Sequence, residues 1–429
     1  MKKILIIGSG ELLNRLPESL SNPQIVIDVF DRKGSVLGKS DFIRNVIELD
    51  VLANEPFHKA VFKKRKFLTE LGYDYYLYAD DLIGLGFARK SKDTDLQLKL
   101  LPVKGEAGIE LVGSKVGFVK LANIAKIKFP KSLVAQNATE LMSLSQQFEK
   151  QFLVKADVGG GGSTVKRFNQ IVSKQEAQKL KSWFPVVIQE EISGTLISVE
   201  GMFDSGKLLG WTYSKFDVES WEFGPSTRRT FLEPPSFDFE ETLMKFGGVS
   251  GFHGFINATF IWNPEEEFHY LFEADNRANG WHQFAHRFGI NWGHLYANSD
   301  EISKPVRPDL SKTKVTFSLF PREPVYAINT GKWKPVFFWL LNSPGTWESR
   351  NNKDKAINAA EWQELKTAIK NRFLLKAGKP FRYVVSLPSK LHLAVAKLFV
   401  WGWQLIPSDQ RNKLDRIGVK KLIVFLFRV

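Results

Sequence analysis

The chain has 429 residues, 43% of them hydrophobic and 13% aromatic; this is the composition of a folded globular protein too long for one ordinary core. It contains no cysteine, which excludes disulfides, thiolate metal sites and a cysteine nucleophile and fits a reducing compartment. The net charge of +14 is gathered at one end, where residues 351–429 hold sixteen Lys/Arg against five Asp/Glu.

The opening "MKKILIIGSGELLNRL" is basic and then apolar. Its apolar run is only a few residues long and enters a Gly-Ser-Gly turn, so it reads as a first strand rather than a targeting segment. "QIVIDVFDR" at 24–32 and "YDYYLYADD" at 73–81 read as further strands, with helix-compatible stretches between them. The alternation predicts a small open α/β domain over roughly 1–110. Its first turn, Gly8-Ser9-Gly10, has Leu13 where a dinucleotide fingerprint needs a third glycine for close helix–strand packing, so a structural turn is the better reading than a NAD site.

From about 115 the pattern changes. "SKVGFVKLANIAKI" has helical spacing, with Val116, Val119, Leu121, Ile124 and Ile127 broadly on one side. Asn137 with Glu140 caps a helix predicted to run to about 150. "FLVKA" is a strand, "VGGGGS" a loop and "STVKRF" a strand; Ser173 with Glu176 opens the next helix, and "PVVIQEEI" at 185–192 is a strand again.

The glycine run therefore joins two strands and is a hairpin tip. A P-loop or a dinucleotide turn would lead into a helix. A tip needs one or two glycines, and four followed by a serine leave two readings open. One is a loosely held surface hairpin. The other is a flap whose backbone N–H groups meet anionic oxygens with no Cβ in the way, Lys155 adding a point charge from the strand before it.

Lys115 with its helix, Pro130, Lys155 with the glycine loop, "VVIQEEISG" and "YLFEADNRANG" at 270–280, in this order and spacing, resemble the ATP-grasp superfamily over about 111–300. "FGPSTRRTF" at 223–231 is similar to a segment of its carbamoyl-phosphate-synthetase-like members. The resemblance implies an α/β and α+β multidomain protein. It would comprise a Rossmann-like pre-ATP-grasp domain at 1–110, an ATP-grasp small subdomain with the glycine flap at 111–190, a large subdomain with a metal site at 191–304, and an extension at 305–429.

The activity it implies is an ATP- and Mg²⁺-dependent carboxylate–amine ligase that passes through an acyl phosphate, acting on small-molecule carboxylate and amine substrates and not on nucleic acid. Lys115 and Lys155 match the family's phosphate-contacting lysines. Gly160, Gly161, Gly162 and Ser163 match the flap, and Gln189, Glu190, Glu191 and Ile192 the adenine hinge. Glu273 and Asp275, two apart on a strand and so on one face, match the metal ligands, with Asn257 as a third. Arg277 continues that face and would hold a phosphoryl group or carboxylate; Arg228 and Arg229, read as loop residues, are candidates for an acidic substrate. Three departures stand out. Asp275 replaces the usual asparagine, Asn257 and Thr259 stand where the preceding strand often has an acid or glutamine, and Leu196 occupies the ribose-binding glutamate's position. They motivate the alternative of a non-catalytic nucleotide-binding or regulatory protein on this scaffold.

The C-terminal extension is aromatic and basic, with apolar runs at 390–407 and 419–429, each too short to span a bilayer. A helical cap on the core and peripheral membrane contact through 390–429 both fit it. The expected location is cytoplasmic, with the inner membrane face as the place of any such contact. Modification of a cell-surface polysaccharide or a secondary metabolite is the setting that contact suggests.

Overall fold

The computed structural model describes residues 1–10, 13–220, 222–310, 315–330 and 353–376. Its contacts divide into two compact units. One comprises Met1–Val315 with Lys353–Ile357, the other Thr316–Asn352 with Asn358–Val429. Among the described residues no helix is long and apolar enough to cross a membrane. The apolar runs at 390–407 and 419–429 lie outside the described residues.

The first unit contains three sheets. In the first, β1 (Lys2–Ile7) lies between β2 (Ile25–Asp31) and β4 (Tyr75–Tyr78), with β3 (Asn45–Glu48) at the edge, all parallel. Ile4 to Ile7 are wholly buried, as befits a central parallel strand covered on both faces. β3, with an exposed, mixed sequence, escaped the sequence pattern because an edge strand need not be apolar. Leu13 is buried in the core beneath this sheet, so the position a dinucleotide turn keeps open for close approach is filled. The strand expected over 73–81 stops at Tyr78; Asp80 caps the helix Asp81–Lys90 by accepting from the Leu82 N–H.

The second sheet is antiparallel, in the order β5 (Ser132–Ala135), β8 (Val186–Glu190), β6 (Phe152–Ala156), β7 (Val165–Phe168). Helices Ala138–Ser145 and Lys174–Lys179 pack on it, capped by Asn137 and by the Ser173–Glu176 capping box. The first of them ends at Ser145, short of the expected 150.

In the third sheet, β9 (Thr195–Asp204) and β10 (Lys207–Glu219) form a long hairpin. β11 (Ser226–Phe231) flanks it on one side, and β12 (Gly254–Asn263) with β13 (Phe268–Asp275) on the other. Asn257 stands opposite both Asp275 and Glu200 in register, and Thr259 opposite both Glu273 and Ser198. The period-2 pleat therefore gathers these polar residues on one face.

The helix Lys115–Ile124 packs against β5, β8 and β13. Ser114 caps it by accepting from the Gly117 N–H, and Phe118, Val119, Leu121 and Ala122 are buried. Ile124, expected on the buried side, is exposed, because the buried stripe runs through Phe118, Leu121, Ala122 and Ala125 and leaves Ile124 on the face of Lys120. In the second unit, Phe320, Ile328, Leu365 and Ala368 bury together with Val325 and Trp362.

Candidate active site

A cleft of about 270 Å³ is walled by the ends of β6, β8 and β13 and by the start of the Lys115 helix. Six of the residues singled out in the sequence line it: Lys115, Lys155, Gly160, Gln189, Glu273 and Asp275. The Lys155 side chain is 3% exposed and its Nζ sits 3.4 Å from the centroid of the Phe272 ring. Burial pushes its pKa down to about 7, with the Lys115 charge helping and Glu273 opposing. Lys115 Nζ donates to the Gly159 carbonyl at 2.6 Å and lies 3.8 Å from Glu273 Oε1. Lys115 thus pairs with Glu273 at the cleft wall, and Lys155 lines the same cleft.

Asp275 titrates in the opposite direction. Burial raises its pKa; Arg277 and Lys115 oppose the rise, and Asp81 and Glu273 add to it. Arg277 donates from Nε to Asp81 at 2.9 Å and from Nη2 to Asp275 at 3.4 Å. Burial disfavours its charge, but these carboxylates hold its pKa above the ordinary value. It lines a second space of about 450 Å³ that shares Asp80 and Asp81 with the cleft.

The glycine run is more constrained than a loose hairpin. Gly159, Gly161 and Gly162 have φ of +144°, +61° and +73°, and a Cβ on Gly162 would stand 2.1 Å from the Phe223 carbonyl oxygen. Glycine is therefore required at this tip by its backbone conformation and by the close approach of the neighbouring loop. A Cβ on Gly160 would meet nothing within 4 Å. Ser163 Oγ donates to the Gly160 carbonyl at 3.0 Å and closes the turn on itself.

No protein-family model and no curated protein sequence matches the chain. Solved structures do. N5-carboxyaminoimidazole synthetase from Staphylococcus aureus in complex with ADP aligns over 72% of this chain and 80% of its own, at 16% identity and TM-score 0.54. An ADP complex of N5-carboxyaminoimidazole ribonucleotide synthetase aligns over 86% of this chain and 97% of its own, at 14% identity and TM-score 0.55. The biotin carboxylase domain of 2-oxoglutarate carboxylase from Hydrogenobacter thermophilus, in complex with magnesium ADP and bicarbonate, aligns over 73% and 72% at 14% identity, with TM-score 0.53. The chain has the ATP-grasp fold. At these identities the likeness speaks for architecture, and the chemistry has to be read from the side chains.

Within the ATP-grasp fold, several residues named from the sequence lie away from the cleft lining. Glu191 makes a bidentate ion pair with Arg167 from β7, which also contacts Glu222 and stacks on Phe223. Glu190, Ile192, Gly161, Gly162, Ser163 and Arg228 are likewise not among the lining residues. Arg228 and Arg229 lie on strand β11 and not in a loop. Arg229 is 4% exposed, ion-paired with the fully buried Glu200, and held between the Phe216 and Trp281 rings. Asn257 spends its amide N–H groups on Ser198 Oγ at 2.7 Å and Glu200 Oε1 at 3.0 Å.

The sequence reading passed over Asp80, Asp81, Phe272 and Asn276, all of which line the cleft. A signal existed for the aspartates. They follow the carboxyl end of a parallel strand, where open α/β sheets place their ligands.

Two buried polar atoms test whether a nucleotide fits. Gln189 Oε1 and Asn276 Nδ2 both lie in the cleft wall with no hydrogen-bond partner among the described residues. An orphaned acceptor and an orphaned donor in a space that also holds a desolvated ammonium match a ligand bearing both an amino donor and anionic oxygens. Among the described residues no group of three or more His, Cys, Asp or Glu could hold a metal ion by itself. Glu273 and Asp275 would bind Mg²⁺ only together with phosphate oxygens and water, as that ion prefers.

Proposed function

We propose that the protein is an ATP- and Mg²⁺-dependent ligase that activates a carboxylate as an acyl phosphate for attack by an amine. The observation that carries this reading is the single cleft in which Lys115 and Lys155 face Glu273 and Asp275 beneath the Gly159–Gly160 backbone. The two lysines neutralise charge on the transferring phosphoryl group. Glu273 and Asp275 would hold the metal, which would supply charge neutralisation and electrophilic activation. Arg277, fixed by Asp81 and Asp275, stands where a substrate carboxylate meets the phosphates. Gln189 accepts from the adenine amino group. The carboxylate oxygen attacks the γ-phosphorus and ADP leaves; the amine nitrogen then attacks the acyl carbon and phosphate leaves with the C–O electron pair.

Thermal shift with Mg-ATP tests the nucleotide site: the wild type should gain stability and Lys155→Ala should not. Glu273→Gln should keep its fold and lose phosphate release by about 100-fold or more. No wild-type response under Mg²⁺ or Mn²⁺ would remove the proposal. A second reading, a nucleotide-binding protein that does not turn over, is favoured by one observation: opposite Glu273 in register stands Thr259, and among the described residues no third His, Cys, Asp or Glu completes a metal-binding group. ATP bound equally well with and without metal, and no phosphate release with any acid, would select it. A role in cell-surface polysaccharide or secondary-metabolite chemistry rests on the composition of residues 390–429 alone.

A further inference from the structure

The second cavity has a chemistry of its own. It is formed where the chain leaves the first sheet, by Gly8 and Ser9 after β1, Asp31 and Arg32 at the end of β2, and Asp80, with Arg277 reaching in from after β13. Asp31 is 3% exposed. Its Oδ1 accepts from the Arg32 backbone N–H at 2.7 Å, and its Oδ2 is buried with no partner among the described residues. A buried carboxylate oxygen without a donor has lost its solvation with nothing in exchange. A cavity wall is where a ligand can supply the missing donor.

Asp81 and Arg277 also line the cavity and form an ion pair there. Arg277 bonds Asp275, which lines the nucleotide cleft, and yet faces this cavity, so its guanidinium marks the junction of the two spaces. The exposed Arg32 guanidinium lies over the Phe57 ring, 5.5 Å from its centroid.

We propose that this cavity receives the acid substrate of the ligase, and that this acid carries an ammonium or hydroxyl group which donates to Asp31 Oδ2 while its carboxylate turns toward Arg277. Asp31 is then the residue that restricts the enzyme to amino or hydroxy acids. This rests on the ligase reading above. The lone carboxylate oxygen would repel an acid presenting a second anion there, and would remain unsatisfied beside an acid with a bare alkyl chain.

The test measures phosphate release by the full-length protein with Mg-ATP over matched sets of acids: amino acids, the hydroxy acids of the same skeleton, and the unsubstituted acids. The expected result is release with a member of the first or second set and at least tenfold lower kcat/KM with its unsubstituted counterpart. Asp31→Asn keeps an acceptor for the Arg32 N–H. It should raise KM about tenfold or more for an ammonium-bearing acid, which loses its counter-charge. For a hydroxy acid, whose hydroxyl can turn and accept from the amide N–H now at that position, the rise should be only a few-fold. In both cases kcat and the Mg-ATP thermal shift should be unchanged.

Equal turnover of unsubstituted acids, or an unaltered KM in Asp31→Asn, overturns the assignment. So does a Mg-ATP thermal shift with no release from any of the acids, although the nucleotide site would then stand. A thermal shift by NAD or NADP that Asp31→Asn abolishes would give the cavity to a dinucleotide ribose instead. Absence of any Mg-ATP shift is the distinct outcome that fells the ligase reading itself.

Discussion

Lys155 and Arg229 are both buried cations, and they do opposite jobs. Arg229 has its carboxylate, Glu200, beside it and aromatic rings on either side. Lys155 has an aromatic ring against it and, among the described residues, no carboxylate within ion-pair distance; burial leaves it with a pKa near 7. A buried charge supplied with its partner belongs to the fold. One kept without a partner, at the wall of a cleft, is open to an anion from outside.

Breaking that contrast gives the largest expected effect. Arg229→Met strands Glu200 without its counter-charge in the core, and should cost about 3–5 kcal/mol in urea unfolding. Lys155→Met, by contrast, removes a desolvation cost and should leave the free protein as stable as wild type or more so. It should lose the Mg-ATP stabilisation, about 2.7 kcal/mol in the wild type at a ligand concentration of 100 times Kd. If both variants destabilise the free protein alike, Lys155 is structural and the contrast fails.

Gly162→Ala should be next in size. A Cβ forced against the Phe223 carbonyl at positive φ costs about 1–3 kcal/mol of local strain, which the tip can relieve by undocking. Faster limited proteolysis between residues 158 and 163, with global unfolding little changed, is the expected readout.

The smallest effect concerns acid stability away from the cleft. His253, Ser299 and Lys2 hold the Asp204 carboxyl well below the usual carboxylate range, against burial. A depressed folded-state pKa means the stabilisation is fully present above the ordinary range and is lost as pH falls toward the depressed value. Asp204→Asn should therefore lower Tm at pH 7 and flatten its decline from about pH 4 to pH 2.

Much of the site was readable because its residues sit on regular elements whose period is visible. Glu273 and Asp275 are two apart on a strand, Lys155 is on the strand before a glycine run, and Lys115 follows a capping serine. What escaped involved distance along the chain. Asp80 and Asp81 lie nearly two hundred residues before Asp275, and nothing local links them. Arg228 and Arg229 looked like loop residues because Pro225 and Gly224 precede them, yet pairing with β10 makes them a strand. Glu191 follows the end of β8 in reach of Arg167, and that competing partner is invisible until β7 and β8 are placed in one sheet.

The sequence by itself determined the periodicities, the caps and the order of the chemical groups, since these depend on neighbours three or four residues away. It also determined that no thiol chemistry is available, because there is no cysteine. Only the tertiary structure decided which charged groups are left without partners. Whether Asp31, Lys155 and Gln189 are satisfied or waiting depends on what the rest of the fold brings within about 3 Å of them, and hydrogen bonds and desolvation act only at that range.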